Sequence, residues 1–197
     1  MLNILELCKK KIKNFYFASS SEVYQNPHKI PTDEKEILKI PDIHNPRYSY
    51  RGGKITSELN GTHFAKKYLK KFIIFKPHNV YGPDMGNEHV IPEFLKRIKK
   101  LQPNEKFLIY STGQELKSFI HIDDFIFAFD KVFKKKKNFE IYKTRTTEKI
   151  KILNLAKLIA KINNKSIKFK KTNILKGSSS KRCPDISKIK NLSLSKK

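Results

Sequence analysis

YSYRGGKITSELNGTHFAKKYLKKFIIFKP, residues 48–77, joins a helical pattern to a short apolar run closed by proline. Ile55, Leu59, Phe64 and Tyr68 fall on related faces of a helix predicted over 48–70. Residues 71–76, KFIIFK, read as a buried strand that Pro77 ends. Upstream, residues 14–18 (NFYFA) form a short aromatic strand running into Ser19-Ser20-Ser21. Leu2, Ile4, Leu5, Leu7 and Cys8 read as the end of an amphipathic helix over 2–11. Between strand and helix, Gln25 to Arg47 is a long polar loop with Pro27, Pro31, Pro41 and Pro46, and loops of such length are usually functional. Downstream, helices are expected over 92–101, 122–133 and 151–163, and strands over 106–110, 140–143 and 167–169. The Ser- and Lys-rich tail from Gly177 reads as loose. The alternation of strand and helix indicates an α/β layered fold with a parallel sheet.

Composition narrows the classes. With 197 residues, 38% hydrophobic, the chain suits one domain or a large piece of one, and it has material for a core. Two cysteines, Cys8 and Cys183, exclude a disulfide framework and a multi-Cys zinc module, and point to a reducing, cytoplasmic setting. No apolar run approaches the roughly 20 residues of a membrane span. The seven glycines assemble no G-x-G-x-x-G. The net charge of +25 points first to nucleic acid. Only Arg47, Arg51, Arg97, Arg145 and Arg182 are arginines, however, and bidentate base reading favours arginine. The abundance of Lys, Ile and Asn fits AT-rich codons, so a solvated basic surface is the preferred reading over a nucleic-acid partner.

Chemistry centres on Tyr50-Arg51-Gly52-Gly53-Lys54. The i, i+4 spacing puts Tyr50 and Lys54 on one helix face. A neighbouring ammonium stabilises a phenolate, which lets a tyrosine serve as a general acid or base. In a Lys-rich chain such a pair also arises by chance on a surface. Glu22 reads equally as a solvated loop acid, and His78, His89 and His121 read as structural, with no metal spacing.

The context is more specific. Ala18-Ser19-Ser20-Ser21-Glu22-Val23-Tyr24 lies upstream of the pair, and Lys76-Pro77-His78-Asn79-Val80-Tyr81-Gly82-Pro83 downstream. Gly113-Gln114-x-x-Lys117-Ser118-Phe119-Ile120-His121-Ile122-Asp123-Asp124 and Lys181-Arg182-Cys183-Pro184-Asp185-Ile186 follow in order. Together these resemble the extended short-chain dehydrogenase/reductase family, the NAD-dependent nucleotide-sugar epimerases and dehydratases. The resemblance implies a partial Rossmann-like doubly wound parallel sheet with a small α/β substrate-binding region. Residues 1–83 and 115–145 would belong mainly to the Rossmann core, and 84–114 and 146–197 mainly to the substrate region and tail.

It also implies roles. Tyr50 would be the acid/base, with Lys54, Ser20 and Glu22 completing the catalytic set. Tyr50, Lys54, Ser19, Pro77 and Asn79 would lie beside NAD. Ser21, Asn79, Lys117 and Arg182 would contact the nucleotide-sugar. Epimerase is preferred to dehydratase because no Asp-Glu pair follows Ser20, while Glu22 keeps dehydration and decarboxylation open. Lys76 and Lys117 replace the family's usual arginines, Gln25 its usual glycine after Val-Tyr, and Arg51-Gly52-Gly53 is an unusual filling. The strand and Gly-rich turn that cradle the NAD pyrophosphate are not in this sequence. The expectation is a fragment, inactive or incomplete alone: a mis-called start, a split enzyme whose missing half a separate chain would supply, or a decayed gene. An intact member would be a homodimer. A non-catalytic subunit and a basic nucleic-acid-binding protein are the alternatives.

Overall fold

The apolar run at 72–75 is the middle of a three-stranded parallel sheet. The computed structural model describes residues 1–9, 11–25, 27–102, 104–146, 148–171 and 184–193. In chain order the elements are α1 (Leu2–Cys8), β1 (Asn14–Ala18), α2 (Ser49–Tyr68), β2 (Lys71–Pro77), β3 (Val80–Tyr81), α3 (Val90–Lys100), β4 (Lys106–Ile109), β5 (Leu116–Lys117), β6 (Ile120–His121), α4 (Ile122–Phe133), β7 (Glu140–Thr144), β8 (Ile150–Lys151), α5 (Ile152–Ile162), β9 (Lys168–Lys171) and α6 (Ser187–Ser193). They divide into two compact units.

The first unit comprises residues 1–78, 123–145 and the described part of 182–197. Its sheet has the order β1-β2-β7, with Phe15 opposite Phe72 and Phe75 opposite Tyr142. β2 is buried along both faces because helices cover both. Phe72 and Ile74 pack with Leu5 of α1 and with Phe64 and Ala65 of α2. Ile73 and Phe75 point the other way, to Val132 of α4, Tyr142 of β7, and Ile186 and Ile189. Each such side chain contributes about 1.5–3 kcal/mol by leaving water.

α2 lies close on the sheet. A Cβ at Gly61 would sit 2.6 Å from Cζ of Phe72. Leu59, grouped by spacing with the buried face, is 65% exposed instead. Ile55, Phe64 and Ala65 form the packed side, and Gly61 admits the Phe72 ring. α4 opens on Asp123 and Asp124, whose charge suits a helix N-terminus. At its other end Lys71 Nζ donates to the carbonyls of Phe133 (3.1 Å) and Lys135 (2.6 Å), which the helix leaves unpaired. The tail expected to be loose contains α6, held to the sheet because Ile186 and Ile189 are buried.

The second unit comprises residues 79–122 and the described part of 146–181. It contains three two-stranded pairs: β3 with β6 and β4 with β9, both parallel, and β5 with β8, antiparallel. Its core joins Phe94 and Ile98 of α3, Phe107 and Ile109 of β4, and Ile152, Leu155 and Ile159 of α5. Leu158 and Ile162, expected in the same stripe, are exposed, because Ala156 and Ala160 form the inner side of α5.

Candidate active site

Tyr50 and Lys54 stand in the first turns of α2, in the first unit. Tyr50 is 55% exposed, and its hydroxyl makes no hydrogen bond among the described residues. Lys54 Nζ lies 5.7 Å from the centroid of its ring and donates to the carbonyl of Ala18 at 2.7 Å. The end of β1 is thus tied to the helix one turn after the tyrosine. Neither intervening glycine is demanded by space. A Cβ at Gly53 would meet nothing within 4 Å, and one at Gly52 only Ile40 at 3.5 Å.

The three serines separate by function. Ser19 is buried and donates its hydroxyl to Glu58. Ser21 is buried and donates to the carbonyls of Lys76 and Pro77, each at 3.1 Å. Ser20 is half-buried; its Oγ accepts from the Glu22 N–H at 3.2 Å and caps the short 3-10 turn Ser21–Tyr24. Its hydroxyl proton remains available to a donor role. Glu22 has an exposed side chain, while its carbonyl accepts from Arg51 Nε at 2.6 Å.

Beneath these lies a buried polar network that sequence reasoning did not assemble. Glu58 pairs with Lys76 at 2.9 Å, both almost fully buried. Lys76 Nζ also donates to the Tyr24 hydroxyl at 3.0 Å and sits 4.3 Å from its ring centroid. Lys143 approaches the same ring at 4.1 Å and donates to the carbonyls of Thr32 (2.7 Å) and Asp33. Burial lowers the pKa of Lys76, with Glu58 opposing, and burial lowers Lys143 to about 8. Burial raises the Tyr24 phenol, and the Glu58 charge adds to it. The signal for Glu58 was its place four residues after Lys54, on the same helix side. Lys143 had no such signal, since its acceptors are backbone carbonyls of a loop more than a hundred residues away.

Gln25 has φ 44°, a backbone region that favours glycine, and donates through Nε2 to the Tyr48 hydroxyl at 3.2 Å. The glycine that the family usually carries there fits this geometry. Pro77 closes β2 beside Ser21.

Asn79 and Lys117 belong to the second unit. Asn79 is exposed, with φ 46°, and donates through Nδ2 to the Ser118 carbonyl at 2.8 Å. Lys117 lies in β5 opposite Ile150. Arg182 lies outside the described residues. The structure therefore brings Ser19, Ser20, Ser21, Glu22, Tyr50, Lys54 and Pro77 into one unit. Among the described residues no group of three His, Cys, Asp or Glu forms a metal site, and no helix is long and apolar enough to cross a membrane.

The profile of the NAD dependent epimerase/dehydratase family matches residues 1–144. The chain belongs to that family. Its relatives include the dTDP-D-glucose 4,6-dehydratase of Dictyostelium discoideum, 33% identical over 176 residues, covering 81% of this chain and 38% of that protein. The Bos taurus enzyme of the same name is 32% identical over 160 residues, covering 79% of this chain and 42% of that protein. The chain thus spans about two fifths of the length of these curated relatives. Among solved structures, UDP-glucose 4-epimerase from Thermotoga maritima with UDP-glucose aligns with a TM-score of 0.81 at 26% identity, covering 98% of this chain and 61% of that one. UDP-N-acetylglucosamine 4-epimerase from Methanobrevibacter ruminantium, in complex with UDP-N-acetylmuramic acid, aligns with a TM-score of 0.83 at 24% identity, covering 98% and 60%. The fold is that of the Rossmann-type epimerases and dehydratases.

Proposed function

We propose that this chain carries the acid/base part of an NAD-dependent nucleotide-sugar epimerase/dehydratase. The observation that carries the reading is the Tyr50–Lys54 pair on α2, with Lys54 hydrogen-bonded to the carbonyl that precedes the Ser19–Ser21 run. The residues present fit one end of a dinucleotide. Tyr50 and Lys54 offer a hydroxyl and an ammonium to the nicotinamide ribose, and Tyr50 is exposed enough to be met. The sequence offers no Gly-rich turn for the pyrophosphate. When bound, the cofactor would take a hydride from the sugar carbon and later return it.

The protein's share is proton handling. Tyr50 would accept the proton of the sugar hydroxyl as its carbon is oxidised. The Lys54 ammonium would stabilise the Tyr50 phenolate that takes this proton and becomes the phenol, and Ser20 would hydrogen-bond the same sugar oxygen. Glu22, exposed beside Ser20, would carry a second proton, as elimination of water across two adjacent carbons requires. That exposed carboxylate, with the 4,6-dehydratase relatives, favours dehydration over the epimerisation preferred on sequence alone.

The test starts with binding. The chain has no tryptophan, so nicotinamide fluorescence reports NADH against a low background. Saturable binding that Lys54→Ala weakens and Tyr50→Phe retains is expected. Absence of binding to millimolar NADH would overturn the reading for this chain. With NAD and dTDP-glucose or UDP-glucose, mass spectrometry then separates dehydration, which removes one water, from epimerisation, which leaves the mass unchanged.

A further inference from the structure

The three contacts between α2 and the segment Ala18–Glu22 have a common geometry. Arg51, Lys54 and Glu58 occupy positions i, i+3 and i+7 of α2, one side of the helix. Arg51 holds the Glu22 carbonyl, Lys54 the Ala18 carbonyl and Glu58 the Ser19 hydroxyl. Lys54 and Glu58 are one turn apart, and their partners are consecutive residues. A single bond would fix a distance and leave the segment free to swivel; two bonds one helical turn apart also fix its rotation.

Glu58 is itself held. Its second oxygen pairs with Lys76, whose ammonium reaches Tyr24 and whose carbonyl accepts from Ser21. Ser19, Glu58 and Lys76 are all buried, with Lys76 only 1% exposed, so water does not compete for these bonds. The side chains left facing out of this segment are Ser20 and Glu22. We propose that Glu58 is a positioning residue: through Ser19 it fixes the Ala18 carbonyl, and through that carbonyl the Lys54 ammonium beside Tyr50. This inference rests on the acid/base reading for its consequence, and on hydrogen-bond geometry for its test.

The test reads the Lys54–Ala18 bond directly in the 197-residue chain. Alanine is labelled with 13C at the carbonyl and serine with 15N, and the Ala18 resonance is identified by its coupling to nitrogen, because Ala18-Ser19 is the only Ala-Ser pair in the sequence. Glu58→Ala is expected to displace that resonance at least half-way to its position in Lys54→Ala. Glu58→Gln keeps an amide oxygen for Ser19 and is expected to restore most of the wild-type position. Should Glu58→Ala fail to fold, the double variant Glu58→Leu/Lys76→Met removes the same anchor. It replaces a buried ion pair by apolar groups, a change that is often neutral for stability.

Thermal unfolding is followed alongside. Variants that melt lower with the Ala18 resonance unmoved would overturn the proposal, because a merely stabilising Glu58 predicts that result. So would a resonance that even Lys54→Ala leaves in place. NADH titration of the same samples keeps the two readings apart. A wild-type chain that shows the anchored Ala18 signal and binds no NADH refutes the function, and leaves the positioning role established.

Discussion

Lys143 gives stability a pH dependence that can be worked from its surroundings. The side chain is 1% exposed. Its ammonium is held by two backbone carbonyls and the face of Tyr24, with no ion pair to a carboxylate among the described residues. The charges that act on it are Glu34, Asp33 and Asp185, which favour its proton, and Lys76, which opposes it. Burial outweighs them and lowers its pKa from 10.5 to about 8. An unfolded lysine keeps its proton to about pH 10.5, so between pH 8 and 10.5 the unfolded state binds more protons. Stability therefore rises with pH through that window, and below pH 8 the buried charge costs about 3 kcal/mol relative to a neutral amine. Lys143→Met removes both this cost and the donors to Thr32 and Asp33. Each unpaired carbonyl costs about 1–3 kcal/mol, so at pH 7 the two effects nearly cancel. The slope does not cancel. Urea unfolding of both proteins at pH 7, 8, 9 and 10 is expected to show the wild type gaining about 2–3 kcal/mol on the variant. Tyr24, whose phenol burial pushes up, keeps its proton across this range in both proteins. Parallel curves would refute the reasoning, because they would mean that Lys143 keeps an ordinary pKa when folded.

Two glycines of α2 should respond with opposite signs. Gly53→Ala, with open space around its Cβ, is expected to stabilise by about 1 kcal/mol, and Gly61→Ala, 2.6 Å from Phe72, to destabilise by about 1–3 kcal/mol, both read by urea midpoint. Phe75→Ala removes a ring packed 4.9 Å from Phe129 and is expected to cost about 3–5 kcal/mol in the same assay. Tyr50→Phe should leave unfolding within about 0.5 kcal/mol, since the exposed hydroxyl makes no hydrogen bond among the described residues. A larger effect in calorimetry would show that Tyr50 is structural.

The strands and helices of the first unit were readable because each announces itself locally. KFIIFK has no polar interruption across Phe72–Phe75, and a strand buried on both faces needs none. Tyr50 and Lys54 were readable for a related reason, since their spacing is a property of one helix. Where the reading failed, a distant partner decided. Leu59 looks like a member of the buried stripe until Gly61 and Phe72 show which side of α2 meets the sheet. Ser19, Ser20 and Ser21 are chemically identical in sequence, and only Glu58 and the Lys76–Pro77 carbonyls determine that Ser20 alone keeps its hydroxyl for other work. The helix over 187–193 escaped notice because its apolar content is small, and Ile186 and Ile189 matter only against Tyr142 and Val132.

The lysines carry this point furthest. Read as composition, they describe a basic surface, and most are exposed. Lys71, Lys76 and Lys143 are nevertheless buried, and each donates to acceptors of the interior. Lys71 supplies donors to the carbonyls at the end of α4, much as Lys165 does for Lys99 and Leu101 at the end of α3. Lys76 answers Glu58 with one charge where a guanidinium would offer a planar fork, and its remaining reach goes to Tyr24. Lys143 ties the loop at 32–33 to β7 through backbone carbonyls, with no carboxylate ion pair among the described residues. A long flexible stem with a compact cation can reach such acceptors from many backbone positions. A lysine-rich chain can therefore build its polar interior from the residue it has in excess. The cost appears in the lowered pKa values of Lys76 and Lys143, which tie stability to pH in a way that arginine at the same positions would not.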